Sequence, residues 1–137
     1  MAVLDVIELL KALQVLEKKI TVALMYAGLR VPQFRLLDLI EQCEEATVTT
    51  MSKRMGVTRA STSVMINELI RAGIVAVDEN PTDRRSFHLR LTDLGRNKLT
   101  VARSDMAVMQ NKISGRYSEE MLRVLMEFSH KMLYPRE

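Results

Sequence analysis

Two glycines and the residues around them constrain this chain more than anything else in it. From Thr49 to Thr92 the sequence reads TTMSKRMGVTRASTSVMINELIRAGIVAVDENPTDRRSFHLRLT. Thr47 to Thr50 offer helix caps for a short run ending at Met55, and Gly56 supplies a tight turn. Thr58 caps a longer run that Gly73 closes. At 100° per residue, Thr62, Met65, Ile66 and Leu69 share one face of that second helix. Ala60, Val64, Asn67 and Arg71 fall on the opposite face, with Ser61 and Ser63 to its two sides. Two short strands follow, Ile74 to Val77 and Arg85 to Leu91, the second with Phe87, Leu89 and Leu91 inward. Asp78 to Arg84 between them is a polar tip with the turn signal Asn80-Pro81. The order is helix, turn, helix and hairpin: a helix-turn-helix with a β-wing.

The flanks read as helices. Ala2 to Ala27 carries apolar residues at helical spacing with no Pro or Gly before Gly28, a length of about 35–40 Å. Its apolar stripe is broad for one small domain to cover, which predicts a second chain; a long core helix in a monomer is the alternative. Pro32 opens a helix to about Cys43, with Phe34, Leu36, Leu37 and Ile40 on its buried side. Thr92 with Asp93 starts another that Gly115 breaks. Ser118 with Glu119 and Glu120 starts the last, Glu119 to about Leu133, by capping it and placing acids at its positive end. Residues 1–137 therefore predict one domain, mainly α with a small β-hairpin: a winged module over 29–103 between dimerisation helices at 1–28 and 104–137.

Composition narrows the function classes. Of 137 residues 47% are apolar but only 4% aromatic, which fits helical packing of aliphatic and Met side chains. A single cysteine excludes an intrachain disulfide framework. No apolar run suits a membrane span and the N-terminus has no basic leader pattern, so a cytoplasmic protein with no membrane partner is expected. Net charge is only +3, yet from Lys53 to Arg103 ten Lys or Arg face five acids. That excess of five leaves the flanks at −2, the asymmetry of a phosphate-binding module. Neither His88 nor His130 belongs to a recognisable triad, and no phosphate loop, carboxylate pair or zinc spacing occurs, so no enzyme, cofactor or metal is expected.

The second helix suits DNA. Its N-terminus presents N–H groups and short side chains, which allow close approach to phosphates and base edges. Thr58, Arg59, Ser61, Ser63, Val64 and Asn67 are the candidates. Arg59 suits a guanine edge or a phosphate equally, and Val64 suits a thymine methyl. Lys53 and Arg54 fit phosphate contacts as well as they fit a solvated helix. At the wing tip, Arg84 and Arg85 can enter a minor groove, where negative potential is focused, with Asp83 pairing to orient one of them. A solvated charged loop is the plain alternative there.

Taken together, TVTTMSKRMGV, TRASTSVMINEL, RAGIV, NPTDRR and LRLTDLG resemble the MarR family of bacterial winged-helix regulators, in sequence from about Leu29 to Leu99 and in layout beyond. The resemblance implies an obligate homodimer built by the first and last two helices. It implies a transcriptional repressor on pseudo-palindromic double-stranded operators, often released by a small, frequently phenolic effector. It makes Arg85 the minor-groove residue, with Asp83 as its orienting partner. Val64 departs from the arginine that many members carry there. Peroxide-sensing members use a cysteine near the start of the first helix, whereas the one here is Cys43, at the end of the second. An effector site is expected where the dimerisation helices meet the winged module, with Met25, Tyr26, Phe34 and Met106 as candidate liners or plain core. A winged-helix interaction module without DNA binding is the competing function.

Overall fold

A computed structural model describes residues 1–79 and 87–136. Its elements are α1 (Val6–Leu24), α2 (Val31–Gln42), α3 (Val48–Met55), α4 (Arg59–Arg71), β1 (Val75–Glu79), β2 (Phe87–Leu91), α5 (Asp93–Ser114) and α6 (Glu119–Leu133). Most helix starts are set locally by short polar side chains. Asp5, Thr47, Thr58, Thr92 and Ser118 each accept a backbone N–H of the first turn, satisfying donors that the helix itself leaves free. The first helix is shorter than its apolar periodicity, because Asp5 caps it and the chain turns off after Leu24.

The two strands pair antiparallel, with Val75 opposite Leu91 and Val77 opposite Leu89. Leu89 N–H also donates to Ala46 O at 2.7 Å, which ties the α2–α3 connection to the hairpin. On β2 the inward pattern holds for Leu89 and Leu91 but fails for Phe87, which is 51% exposed. Phe87 sits at the end of the paired stretch, opposite Glu79, where it lines a cleft beside α4 and not the buried core.

Leu36 and Leu37 of α2 centre the core, against Leu24, Met51, Leu69 and Leu99. Every buried side chain among the described residues lies between Leu24 and Ala102. Outside that span, α1 leaves Val6, Ile7, Leu10 and Leu13 about half exposed or more, and α6 has no buried residue although Val124, Leu125 and Met132 face one side. A helix of that length is marginal in water on its own, so its apolar face calls for cover from outside the chain. α5 runs unbroken through residues 103 and 104, so one rigid rod joins the core to the apolar ends.

The start of α5 is also where the hairpin is fastened. Thr92 Oγ1 caps Gly95 N–H at 3.1 Å and donates towards Gly73 O at 2.5 Å and Ile74 O at 3.0 Å. Thr92 N–H donates to the same Ile74 O at 3.0 Å. The approach is so close that a Cβ on Gly95 would stand 2.1 Å from Ile74 O. The Leu-Thr-Asp-Leu-Gly sequence is thus a joint between the end of α4, the hairpin and α5.

Candidate nucleic-acid interface

The reading surface is built on α3, the Gly56 turn and α4. Thr47 and Thr50 cap α3 reciprocally: Thr50 N–H donates to Thr47 Oγ1 at 3.1 Å, and Thr47 N–H to Thr50 Oγ1 at 2.9 Å. Met51, Ser52 and Met55 bury one face of α3, which leaves Lys53 and Arg54 exposed in its last turn. Cations there are favoured by the negative end of the helix dipole. Gly56 then takes φ 68°, a left-handed conformation disfavoured for residues with a Cβ.

On α4 the buried side is Thr62, Ile66 and Leu69. Thr62 is fully enclosed and donates its hydroxyl to Thr58 O at 2.9 Å, so a polar side chain in the core costs little. Arg59, Ala60, Ser61, Val64, Asn67 and Arg71 are exposed and Ser63 is half-buried. Small neutral side chains therefore face outward along most of α4. Thr58 is committed to the fold: its hydroxyl accepts from Ser61 N–H at 3.1 Å and donates to Ser61 Oγ at 3.0 Å. What Thr58 offers DNA is the geometry of the helix start rather than a free hydroxyl.

Beside α4 lies a cleft of about 440 Å³ walled by Thr49, Arg59, Asn67, Ile70, Val77 and Phe87 among others. Arg59 thus stands between the helix start and the base of the wing. Asp83, Arg84 and Arg85 lie outside the described residues.

Charge is sorted by partners that sequence could not show. Arg103 forks between Asp38 at 2.5 Å and Glu41 at 2.6 Å. Hydrogen bonds to Asp38 and then Glu41 hold its guanidinium above the ordinary arginine range. Counted from sequence as part of the positive module, Arg103 is neutralised as a brace between α5 and α2. Glu41, at the end of α2, is half of that brace. Arg90 pairs with Asp78 at 2.7 Å, and Arg96 with Asp93. Lys98 Nζ donates to Ala27 O at 2.9 Å, at the end of the first helical segment. Among the described residues, Lys53, Arg54, Arg59 and Arg71 make no ion pair and stay available for phosphate.

The four residues read as effector liners do not meet. Met25 and Tyr26 are 69% and 91% exposed at the end of α1, whereas Phe34 and Met106 pack against the core. A separate groove of about 520 Å³ runs between α1 and α5, with Val22, Val108 and Ile113 among its apolar walls and Lys18, Lys19, Lys112 and Arg116 among its cations. No helix of the described residues is long and apolar enough to cross a membrane.

Comparison with known proteins adds a family. Residues 29–87 match the sequence model of the MarR family. The chain is 25% identical over 105 residues to the uncharacterised HTH-type transcriptional regulator YdgJ of Bacillus subtilis (strain 168). That match takes in 77% of this chain and 64% of the relative, less than two thirds of its length. Among solved structures it is similar to the transcriptional repressor CouR bound to a 23-mer DNA duplex, with TM-score 0.89 and 22% identity, over 96% of this chain and 93% of that one. It is also similar to CouR from Rhodococcus jostii RHA1 bound to p-coumaroyl-CoA, with TM-score 0.80 and 20% identity, over 97% and 94%.

Proposed function

We propose that this chain, whose winged module at residues 29–87 matches the MarR family, is a homodimeric, sequence-specific binder of double-stranded DNA that represses transcription. The observation that carries the reading is the outer surface of α4: small, uncharged and exposed over Ala60, Ser61 and Val64, with Arg59 exposed at its start. Such a helix can lie close in a major groove, and α3 adds Lys53 and Arg54 for the backbone. Arg84 and Arg85, oriented by Asp83, are assigned to the minor groove on their sequence pattern alone.

Dimerisation follows from where the core stops. The apolar faces of α1 and α6 lie outside the buried span, and a second copy covering them would hold two α4 helices about one DNA turn apart, roughly 34–36 Å. That spacing favours a pseudo-palindromic operator. A cytoplasmic, non-enzymatic regulator is the setting that fits these parts.

Control by a small effector belongs to the same architecture. A ligand between the dimerisation helices and the module changes the spacing only if it prefers one spacing over another. Phe34 and Met106 pack against the core, and a second chain would bring cover to the exposed Met25 and Tyr26. The α1–α5 groove favours a second seat, since apolar walls with four cations against one acid, Asp105, suit an amphipathic anion. The p-coumaroyl-CoA bound by CouR is of that class.

The deciding experiment is binding to a promoter duplex and to random duplexes across a salt series. A steep fall of affinity with salt and a preference for one promoter sequence are expected. Salt-independent binding, or equal affinity for every duplex, refutes the reading in favour of a protein-interaction module.

A further inference from the structure

The outer face of α4 carries little charge of its own, and part of what it lacks comes from an element that sequence places elsewhere. Arg30 immediately precedes α2, 38 residues before Glu68 of α4, yet its Nη2 donates to Glu68 Oε2 at 2.9 Å. The two side chains remain 69% and 42% exposed. With Ser61 and Val64 they border a shallow depression beside α4. By helical rotation, Ser61 and Glu68 lie on one side of Val64, and Asn67 and Ile70 on the other. The second side faces the cleft against the hairpin. Arg30 and the wing therefore flank α4 from opposite sides.

A helix in the major groove has a phosphate ridge along each side. In the proposed reading, Arg59 and the hairpin side of α4 face one of them. From this geometry we infer that Arg30 contacts the DNA backbone on the ridge away from the wing, with Glu68 aiming its guanidinium and offsetting its charge in the free protein. The inference rests on the reading of α4 as the groove helix. An ion pair this exposed contributes little to stability, so little holds Arg30 back. A phosphate oxygen offers a charge-assisted, often bidentate bond and releases a counterion as well. Glu68 remains as an acid beside the groove, which keeps affinity for arbitrary sequences low.

The test compares wild type, Arg30→Ala, Glu68→Gln and the double variant as full-length protein. Each is titrated by fluorescence anisotropy with operator and random duplexes over a salt series, beside thermal melts. Arg30→Ala is expected to reduce the slope of log affinity against log salt by about two per dimer, one for each protomer, and to weaken operator and random duplex alike. Glu68→Gln is expected to tighten both, and that gain should shrink by half or more in the Arg30→Ala background. A pair that only supports the fold would make both single variants weaker binders with lower melting temperatures, which overturns the inference. So does a Glu68→Gln gain that survives undiminished without Arg30, because the acid then acts alone. If Arg30→Ala keeps the wild-type slope while Arg59→Ala weakens binding, the DNA reading stands and Arg30 falls. Absence of salt-dependent binding by wild type overturns both.

Discussion

Replacing Gly95 with alanine sets two effects of opposite sign against each other. Gly95 lies in the first turn of α5, where alanine is preferred over glycine by up to about 1 kcal/mol in a helix interior. On propensity alone Gly95→Ala stabilises. The structure gives the other sign: the added Cβ would stand 2.1 Å from Ile74 O and 3.1 Å from Ile74 C. Backbone cannot rotate aside as a flexible side chain can, so α5 must retreat from the α4–β1 turn. Overpacking of this kind costs about 1–3 kcal/mol. The retreat also loosens Thr92, whose hydroxyl caps α5 and bonds Gly73 O and Ile74 O; a lost cap adds about 1 kcal/mol. Less the propensity gain, the net cost is about 1–3 kcal/mol, or about 4–12 °C in melting temperature at about 4 °C per kcal/mol. Thermal and urea unfolding at one fixed protein concentration measure it, since a dimer's melting point moves with concentration. Gly115→Ala is the control, with αR backbone and only ordinary contacts at 3.4 Å or more; it should be neutral or stabilising. A Gly95→Ala protein as stable as wild type would refute the claim that the Thr92–Gly95 joint fastens the hairpin to α5.

Arg59→Ala should leave the melting temperature within the range of a surface change, about 0.5 kcal/mol, while operator binding falls by about 1–3 kcal/mol if Arg59 reads a base edge; competition with single-base operator variants separates base from phosphate contact. Val64→Arg places a cation on the outer face of α4, and the expected gain is tighter binding with a salt slope steeper by about two per dimer, measured on the same duplexes. Leu125→Glu charges the apolar face of α6 and should shift sedimentation equilibrium towards monomer, with operator affinity lost in parallel; unchanged mass would remove α6 from the dimer interface. Arg103→Ala should cost about 1 kcal/mol after allowance for its partial exposure. Because Arg103's protonated form is favoured by Asp38 and Glu41, its contribution is complete below the ordinary arginine range and is lost only above it. The wild-type to Arg103→Ala difference should therefore show no loss as pH rises through neutrality.

What sequence alone determined about this chain is what lies within one turn of helix or one alternation of a strand. Thr47, Thr58, Thr92 and Ser118 cap the helices they were expected to cap, because a hydroxyl reaching the third N–H is a local event. Gly56 makes its turn, and Thr62, Ile66 and Leu69 bury their face of α4, because the 3.6-residue period is carried within the segment itself. Those features were enough to draw the helix-turn-helix and the hairpin, and to place Arg59, Ser61 and Val64 on the outer surface.

Tertiary structure decided which charges are free. Arg103 finds Asp38 and Glu41 across separations of 65 and 62 residues, and Arg30 finds Glu68 across 38. Nothing in the spacing of those residues encodes such meetings, so the count of positive charge on the module included a brace and omitted a flank. The same holds for Phe87, whose inward phase is correct for a strand but which stays half exposed on the wall of the cleft beside α4. It holds for Gly95 as well: only the approach of Ile74's carbonyl shows why a side chain has no room in that turn. Local chemistry chose the elements, and the packing of distant segments chose which of their charges can meet a phosphate.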